Sequence, residues 1–461
     1  MVEAINYSGD RNKSKALRVT SLAQEMEAYL QAHLETGYFI GSVLVAYGGE
    51  ILLSKGYGMA NLEHSIPNAP LTKFRIGSVT KQFTAAAILK LQEQNLLDVN
   101  NSVATYIPDY PNGGKITIHQ LLTHTSGIPN YTNFDDFESK KTIKMELDEL
   151  IAYFSHRPLE FPSGEKFNYS NSGYVVLTKI IETVSNQSYA DYLQEYIFTP
   201  LGMTDSGYDR HETILQNHAS GYVSMGEEYK NAQLIDMSLP SGAGALYSTV
   251  EDLYKWDCSL NTDIVLNKLS RDAMFSPQIK VIEDENEQVH YGYGWLLDTI
   301  HDRHRISHNG GIDGFSSHFS RFPNEQITIV VLSNLVTSPV EKIGRDLTAI
   351  ILGESYELPK KREAIDLDPA IYENYVGQYK FEPSGSQSEV DDITLTVTTE
   401  SQRIFIQWFG GPVIEIFPES PTKFFRKIVD AQLTFVTDND GKASQLIFHQ
   451  NGRDTLLNRM D

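Results

Sequence analysis

Ser78 and Lys81 stand three residues apart near the start of "FRIGSVTKQFTAAAILKLQEQNLL", residues 74–97. At a helix start, residues three apart share a face, so a lysine amine there can reach a serine hydroxyl. The free N–H groups and positive dipole end of a helix favour negative charge, such as an alkoxide or a tetrahedral oxyanion. A lysine desolvated among apolar neighbours loses its proton near neutrality and can act as a base. The Ser-x-x-Lys spacing recurs at Ser163–Lys166 and Ser420–Lys423, but "FPSGEK" and "PESPTK" carry Gly or Pro and read as turns. Only Ser78 opens a long helix. Serine is also a common helix cap, so this pair by itself does not establish a nucleophile.

A Ser-Lys nucleophile needs a proton relay, an amide to hold substrate, and oxyanion donors. Tyr169-Ser170-Asn171 supplies a phenol and an amide directly before the helical pattern "SGYVVLTKIIETVS". Tyr110, Tyr131, Tyr229 and Tyr372 also begin a Tyr-x-Asn, so position ahead of a helix is what singles out Tyr169. The phenol is expected to shuttle a proton if the charge of Lys81 lowers its pKa. The remaining part is "RISHNGGIDGFSS", where His308 precedes Asn309-Gly310-Gly311. Glycines there let a substrate approach the backbone and expose an N–H to an oxyanion. His290-Tyr291-Gly292 repeats the His-x-Gly spacing without the Gly pair.

Other chemistries fit less well. His301, His304 and His308 have a spacing that could line one helical face and bind a metal, but "RISHNGG" reads as a strand and no His-Glu-x-x-His is present. No Gly-x-Ser-x-Gly elbow occurs. His124, beside Ser126 and Gly127, reads as a turn-stabilising residue. Arg303 or Arg305 is available to hold a substrate carboxylate, or is simply a solvated strand residue. A non-catalytic binding or scaffold protein remains a competing class, although nothing else obliges a Ser-Lys-Tyr set to coexist.

Composition narrows the field. The 461 residues are too many for one core and imply two or three domains. A formal net charge of -22 repels phosphate backbones, which argues against a nucleic-acid partner. The single cysteine, Cys258, excludes an intramolecular disulfide and a Cys-based zinc site, and is expected to be a buried structural thiol. No run has the apolar length of a membrane span, and "MVEAINYSGDRNKSK" has no apolar signal core. The expectation is a cytoplasmic protein, or an exported one whose signal has been removed.

The elements that must position these residues can be read in outline. Residues 17–36 place Leu22, Met26, Tyr29, Leu30 and His33 on one helical face. Two β-rich runs flank Gly48-Gly49 as a hairpin. Helices are expected over 80–97 and through the 170s and 180s, with strands at "HRISHNGG" and "ITIVVLSN", the latter central. This gives an α/β (α+β) fold: a mostly antiparallel sheet flanked by helices, with an all-helical lobe, over residues 1–355. A polar, proline-bearing linker follows at 356–368. Residues 369–461 alternate polar and apolar residues between turns, as a small antiparallel β-barrel or sandwich does. Phe405, Trp408, Phe424 and Phe425 are expected in its core.

"SVTK", "YSN" and "HNG", in that order, resemble the serine penicillin-recognising enzymes. The nearest branch comprises class C β-lactamases, D-alanyl-D-alanine carboxypeptidases of the same fold, D-aminopeptidases and related esterases. The flanking text "ITIHQLLTHTSGIPNY", "SGAGALYSTVEDLYKW" and "YGYGW" is similar to that branch over roughly residues 20–355. The C-terminal part, opening "YENYVGQYK", resembles the lipocalin-like barrel appended to some D-aminopeptidase and penicillin-binding-protein-4*-like members.

The resemblance implies a β-lactamase/transpeptidase-like fold and a cofactor-free, metal-free serine hydrolase acting through an acyl-enzyme. Ser78 would be the nucleophile, Lys81 its activator and Tyr169 the base or relay. Asn171 would hold the substrate amide carbonyl. The N–H groups of Ser78 and Gly311, with Gly310 beside them, would form the oxyanion hole. His308 would take the place of a lysine in true class C β-lactamases, which implies poor β-lactam turnover. Substrates would be small molecules or short peptides, most simply D-amino-acid peptides, with β-lactams as acylating ligands; β-lactamase and carboxylesterase are the alternatives.

Overall fold

The structure, a computed structural model, describes residues 7–225, 228–283, 288–381, 394–408, 411, 413–427, 429–438, 440–450 and 453–460. The β-rich runs at either end of the first 333 residues close into one eight-stranded antiparallel sheet. Its strands are β1 (Gly41–Tyr47), β2 (Glu50–Tyr57), β3 (Ile279–Glu283), β4 (Gln288–Tyr291), β5 (Leu296–Ile300), β6 (Arg303–Ile312), β7 (Phe315–Phe322) and β8 (Ile327–Ser333). The spatial order is β3-β4-β5-β6-β7-β8-β1-β2, so β1 pairs with β8, Gly41 opposite Ser333. Gly48 and Gly49 turn the first hairpin with φ of 61° and 80°, values that demand glycine in a two-residue turn. All seven residues of β8 are buried, as the uninterrupted apolar run requires of an internal strand covered on both faces.

The period of two splits these strands between two cores. Val43, Val45, Ile329 and Val331 face Leu22, Met26, Tyr29 and Leu30 of α1 (Tyr7–Thr36) and Ile343 and Leu347 of α5 (Val340–Leu352). Leu44, Ala46, Val330 and Leu332 face the larger core, which also holds α2 (Thr80–Glu93), α3 (Asn171–Ser185) and α4 (Val250–Ser259). Residues Thr80 to Leu89 of α2 are buried on every side, so this is the central helix rather than an amphipathic surface one. It ends at Glu93, short of Leu97, because Asn95 enters the left-handed region at φ 58°.

A closed eight-stranded barrel follows: β9 (Gly377–Phe381), β10 (Thr394–Glu400), β11 (Arg403–Trp408), β12 (Val413–Pro418), β13 (Lys423–Phe425), β14 (Ala431–Thr437), β15 (Ala443–Gln450) and β16 (Arg453–Arg459). Phe424 fills its core, Phe425 is buried, and Trp408 packs at the core's edge. Phe405 does not join them: Ile404 and Ile406 point inward, so alternation turns its ring outward, where the Arg403 guanidinium lies 5.1 Å from its centroid. The segment between sheet and barrel contains no helix or strand from Glu354 to Asp368. Tyr356 ties its start to Glu25 of α1, and Arg362 and Ile365 tie its end to Glu419 and Pro418 of the barrel.

Two further expectations are corrected. Cys258 is exposed, because the buried face of α4 is set by Leu253, Trp256 and Asp257 and leaves position 258 outside. Arg305 is neither solvated nor free for substrate: it forms a buried bidentate pair with Asp298, directly opposite on β5. No helix among the described residues is long and apolar enough to cross a membrane.

Removing one partner of that pair strands a buried charge. Arg305→Ala is therefore expected to lower unfolding free energy by about 3–5 kcal/mol in denaturant titration, and a loss below about 1 kcal/mol would refute the assignment.

Candidate active site

Ser78 lies in a single 3-10 turn, Gly77–Val79, that runs directly into α2. Gly77 sits at φ 50°, and a Cβ built on it would come 2.9 Å from Gly311 N. On β6 opposite, a Cβ at Gly310 would lie 2.1 Å from Ile76 O and 3.0 Å from Ser78 N. The nucleophile turn and β6 thus touch backbone to backbone, which only glycine permits at these positions. Alternation along β6 sends the side chain of Asn309 the other way, to Glu341 of α5 and to His318.

Lys81, the second residue of α2, is completely buried. Its Nζ lies 2.8 Å from Asn171 Oδ1, 2.9 Å from Ala243 O and 3.1 Å from Ser78 Oγ. No carboxylate is among these contacts, and burial alone pushes the amine well below the ordinary lysine value. Two of its three partners can only accept. A neutral amine has two N–H bonds and one lone pair, so the lone pair falls toward the serine hydroxyl.

Tyr169 donates its O–H to Ser78 Oγ at 2.8 Å. Its ring stands over Lys81 Nζ, 4.7 Å from centroid to nitrogen. The expectation that Lys81 lowers the pKa of this phenol does not hold: desolvation raises Tyr169 well above its ordinary value, and only the hydrogen bond to Ser78 acts the other way. A phenol and an amine, each shifted toward its neutral form by burial, thus flank one hydroxyl.

Asn171 is the first residue of α3. Its Oδ1 accepts from Lys81 and its Nδ2 donates to Thr132 Oγ1 at 3.3 Å. The second hydrogen of Nδ2 remains for a ligand in the adjoining cavity of about 230 Å³. That cavity is lined by Ser78, Asn171 and Gly311 together with Tyr131, Thr132, Phe137, Ile235 and Asp313; among the described residues none of the barrel borders it.

His308 enters differently. Its Nδ1 lies 2.6 Å from Asn309 O, an acceptor only, so Nδ1 carries the proton and Nε2 accepts from Tyr291 at 3.0 Å. Burial, then the nearby Lys81, pushes His308 down to about 3, so it is neutral. Both ring nitrogens are engaged within the protein. Of the alternative metal set, His301 sits with Asp302 in the left-handed turn between β5 and β6, so the three histidines share no helical face.

The other two Ser-x-x-Lys pairs make no amine–hydroxyl contact. Ser163 Oγ donates to Ser126 O, and Ser420 Oγ accepts the N–H of Lys423.

The sequence reading took His124 as a turn-stabilising residue, which its backbone bears out, and gave Tyr291 no place in the site. His124 takes φ 57°. Its carbonyl accepts the N–H of Asn168 at 2.8 Å and its Nδ1 that of Ser170 at 3.2 Å, so it grips the chain on both sides of Tyr169. Its ring lies against Tyr169, centroids 4.3 Å apart, and its Nε2 lies 3.3 Å from the Tyr291 hydroxyl, which donates to His308. Burial holds His124 well below the ordinary histidine value, which keeps Nδ1 an acceptor. The "THTSG" text held a signal, since a histidine in a turn before glycine has its backbone groups free for a neighbouring loop.

Comparison with known proteins agrees with this geometry. Residues 26–352 match the family described as Beta-lactamase. The chain belongs to the β-lactamase family of serine hydrolases. Residues 361–459 match a domain of unknown function, DUF3471. Penicillin-binding protein 4* of Bacillus subtilis is 31% identical over 468 residues, covering 95% of this chain and 99% of that protein. The octameric penicillin-binding protein homologue from Pyrococcus abyssi superposes with a TM-score of 0.65 at 26% identity, covering 94% of this chain and 99% of that one. D-amino acid amidase from Ochrobactrum anthropi SV3 shares the fold, with a TM-score of 0.65 at 23% identity over 72% of this chain and 99% of its own.

If His124 sets the Tyr169 loop, His124→Ala should lower kcat for an ester about 10- to 100-fold with little change in KM, and His124→Asn, which keeps an acceptor, should recover part of the loss. Equal effects of the two substitutions, or a change confined to KM, would remove His124 from this role.

Proposed function

We propose that the protein hydrolyses amide or ester carbonyls through an acyl-enzyme on Ser78, with D-amino-acid peptides or amides as substrates. The observation that carries this is the Lys81 amine, held by two obligate acceptors so that its lone pair meets Ser78 Oγ. Ser78 Oγ would attack the carbonyl carbon while its proton passes to Lys81. The oxyanion would meet the N–H groups of Ser78 and Gly311 at the contact between the nucleophile turn and β6. Tyr169, the neutral phenol on the other side of Ser78 Oγ, would protonate the leaving group as the C–N or C–O bond breaks, and Lys81 would return the proton it took. Water would then attack the ester carbonyl and pass a proton to the Lys81 amine, while Ser78 Oγ takes a proton from Tyr169 as the C–O bond breaks, and Lys81 restores the proton of Tyr169. Asn171 Nδ2 would fix the acyl part.

The curated relative named as a penicillin-binding protein supports β-lactams as acylating ligands. Slow release is the expected outcome, since His308 offers neither charge nor a free N–H. We also propose that residues 1–355 form the hydrolase unit, 356–368 the connection and 369–461 the barrel unit.

Incubation with a penicillin should add the mass of one intact drug, mapping to Ser78 and absent in Ser78→Ala; an adduct elsewhere would sink the assignment. Lys81→Ala and Tyr169→Phe should each slow p-nitrophenyl acetate hydrolysis by about 10²–10⁴-fold with folding retained, and wild-type rates in either would remove that residue from the mechanism. The active form of Lys81 is the neutral one. Activity should therefore be full above its depressed pKa and fall as pH drops through it, so an acid limb of kcat/KM at the ordinary lysine value would contradict a desolvated base.

A further inference from the structure

We propose that Asp313 makes the cleft selective for acyl groups bearing a free ammonium, so that α-aminoacyl amides and esters are preferred over substrates carrying a free carboxylate. This rests on the acyl-enzyme reading and goes beyond it by fixing the charge of the substrate.

Among the residues lining the cavity, Asp313 is the one charged side chain. The walls it joins are Tyr131, Phe137, Ile235, Pro240 and Ile312, so a charge introduced there is poorly solvated and needs a partner. Asp313 stands in the turn between β6 and β7. Its Oδ1 holds Lys141 Nζ at 3.0 Å, and the same amine holds Glu138 at 2.8 Å. Two carboxylates against one ammonium leave one net negative charge at this end of the cleft. Lys141 is nearly buried beneath the two acids and is not presented to an incoming carboxylate. Asp313 Oδ2 makes no hydrogen bond within the described residues and its side chain is 25% exposed, so it can receive a cation.

Geometry also says which half of the substrate meets Asp313. The leaving group must lie by its proton donor, Tyr169, whose ring is 6.4 Å from that of His308. Asp313 is five residues further along the same strand and turn, about 15 Å away in extended chain, past Gly311. It therefore faces the acyl half, where an amino acid carries its ammonium. On the leaving-group side, His308 is neutral and both its nitrogens are occupied, and Arg305 is sealed against Asp298. Among the described residues, neither of these two side chains complements the free carboxylate of a peptide C-terminus.

The test compares alanyl p-nitroanilide, as each enantiomer, with propionyl p-nitroanilide, which differs only in lacking the amine. Both are measured with wild type and with Asp313→Asn. The wild type should favour one alanyl enantiomer over propionyl, and Asp313→Asn should cut that ratio of kcat/KM values about tenfold, the worth of one charge-assisted contact. A ratio unchanged in Asp313→Asn, or both substrates slowed alike, overturns the proposal and leaves Asp313 a turn residue. Should Asp313→Asn not fold, the wild type decides: a C-terminally free N-acetyl dipeptide cleaved faster than the matching N-terminally free dipeptide amide overturns it. Ser78→Ala is run alongside with p-nitrophenyl acetate. Loss of ester turnover in Ser78→Ala with no charge preference in the wild type refutes Asp313 alone, whereas undiminished ester turnover refutes the acyl-enzyme reading itself.

Discussion

The site depends on a lysine kept out of water without a counter-ion. Lys81 is buried in the middle of the larger core, on a helix covered on every side, and its three partners are two carbonyl oxygens and a hydroxyl. A carboxylate in place of either carbonyl would hold the amine as ammonium and leave no lone pair. Carbonyl acceptors satisfy the N–H groups while desolvation removes the charge, which is the combination a base needs. The cost of burying such a group falls on the rest of the fold, and the length of α2 and the sheet behind it supply the packing that offsets it.

Much of the surrounding architecture serves to keep that arrangement dry and in register. The Gly77–Gly311 and Gly310–Ser78 approaches press the nucleophile turn against β6, so the reacting hydroxyl is fixed by two elements that are remote in sequence. His124 and Tyr291 extend the fixation to Tyr169 and His308 through a series of neutral hydrogen bonds whose donor and acceptor roles are set at one end by a backbone carbonyl and at the other by a backbone N–H. With Lys81, Tyr169, His124 and His308 all shifted toward neutrality by burial, the site works with proton positions rather than fixed charges. The carboxylate of Asp313 at the cavity edge then stands out electrostatically.

The barrel is built on a separate core, and none of its described residues borders this cavity. Its tie to the rest runs through the short segment in which Tyr356 is held by α1 and Arg362 by the barrel.

The sequence by itself determined the parts with local or periodic signatures. The amphipathic face of α1, the Gly48-Gly49 hairpin, the internal strand β8 and the alternating barrel strands all follow from residue periodicity and turn chemistry. The motif segments around Ser78, Tyr169 and His308 were legible because their order and flanking text resemble one enzyme family, not because any one of them is distinctive alone. Tertiary structure alone decided which atoms meet. It turned Phe405 outward and Cys258 to the surface, locked Arg305 onto Asp298, brought Ala243 O and Thr132 to the site, and made His124 the clamp on Tyr169. It also reversed the expected pKa of Tyr169. Periodicity says which face a residue occupies, but desolvation and hydrogen-bond partnering depend on what lies opposite, and that is set by segments far away in sequence, as where the Ser317 hydroxyl donates to Ile76 O across 241 residues.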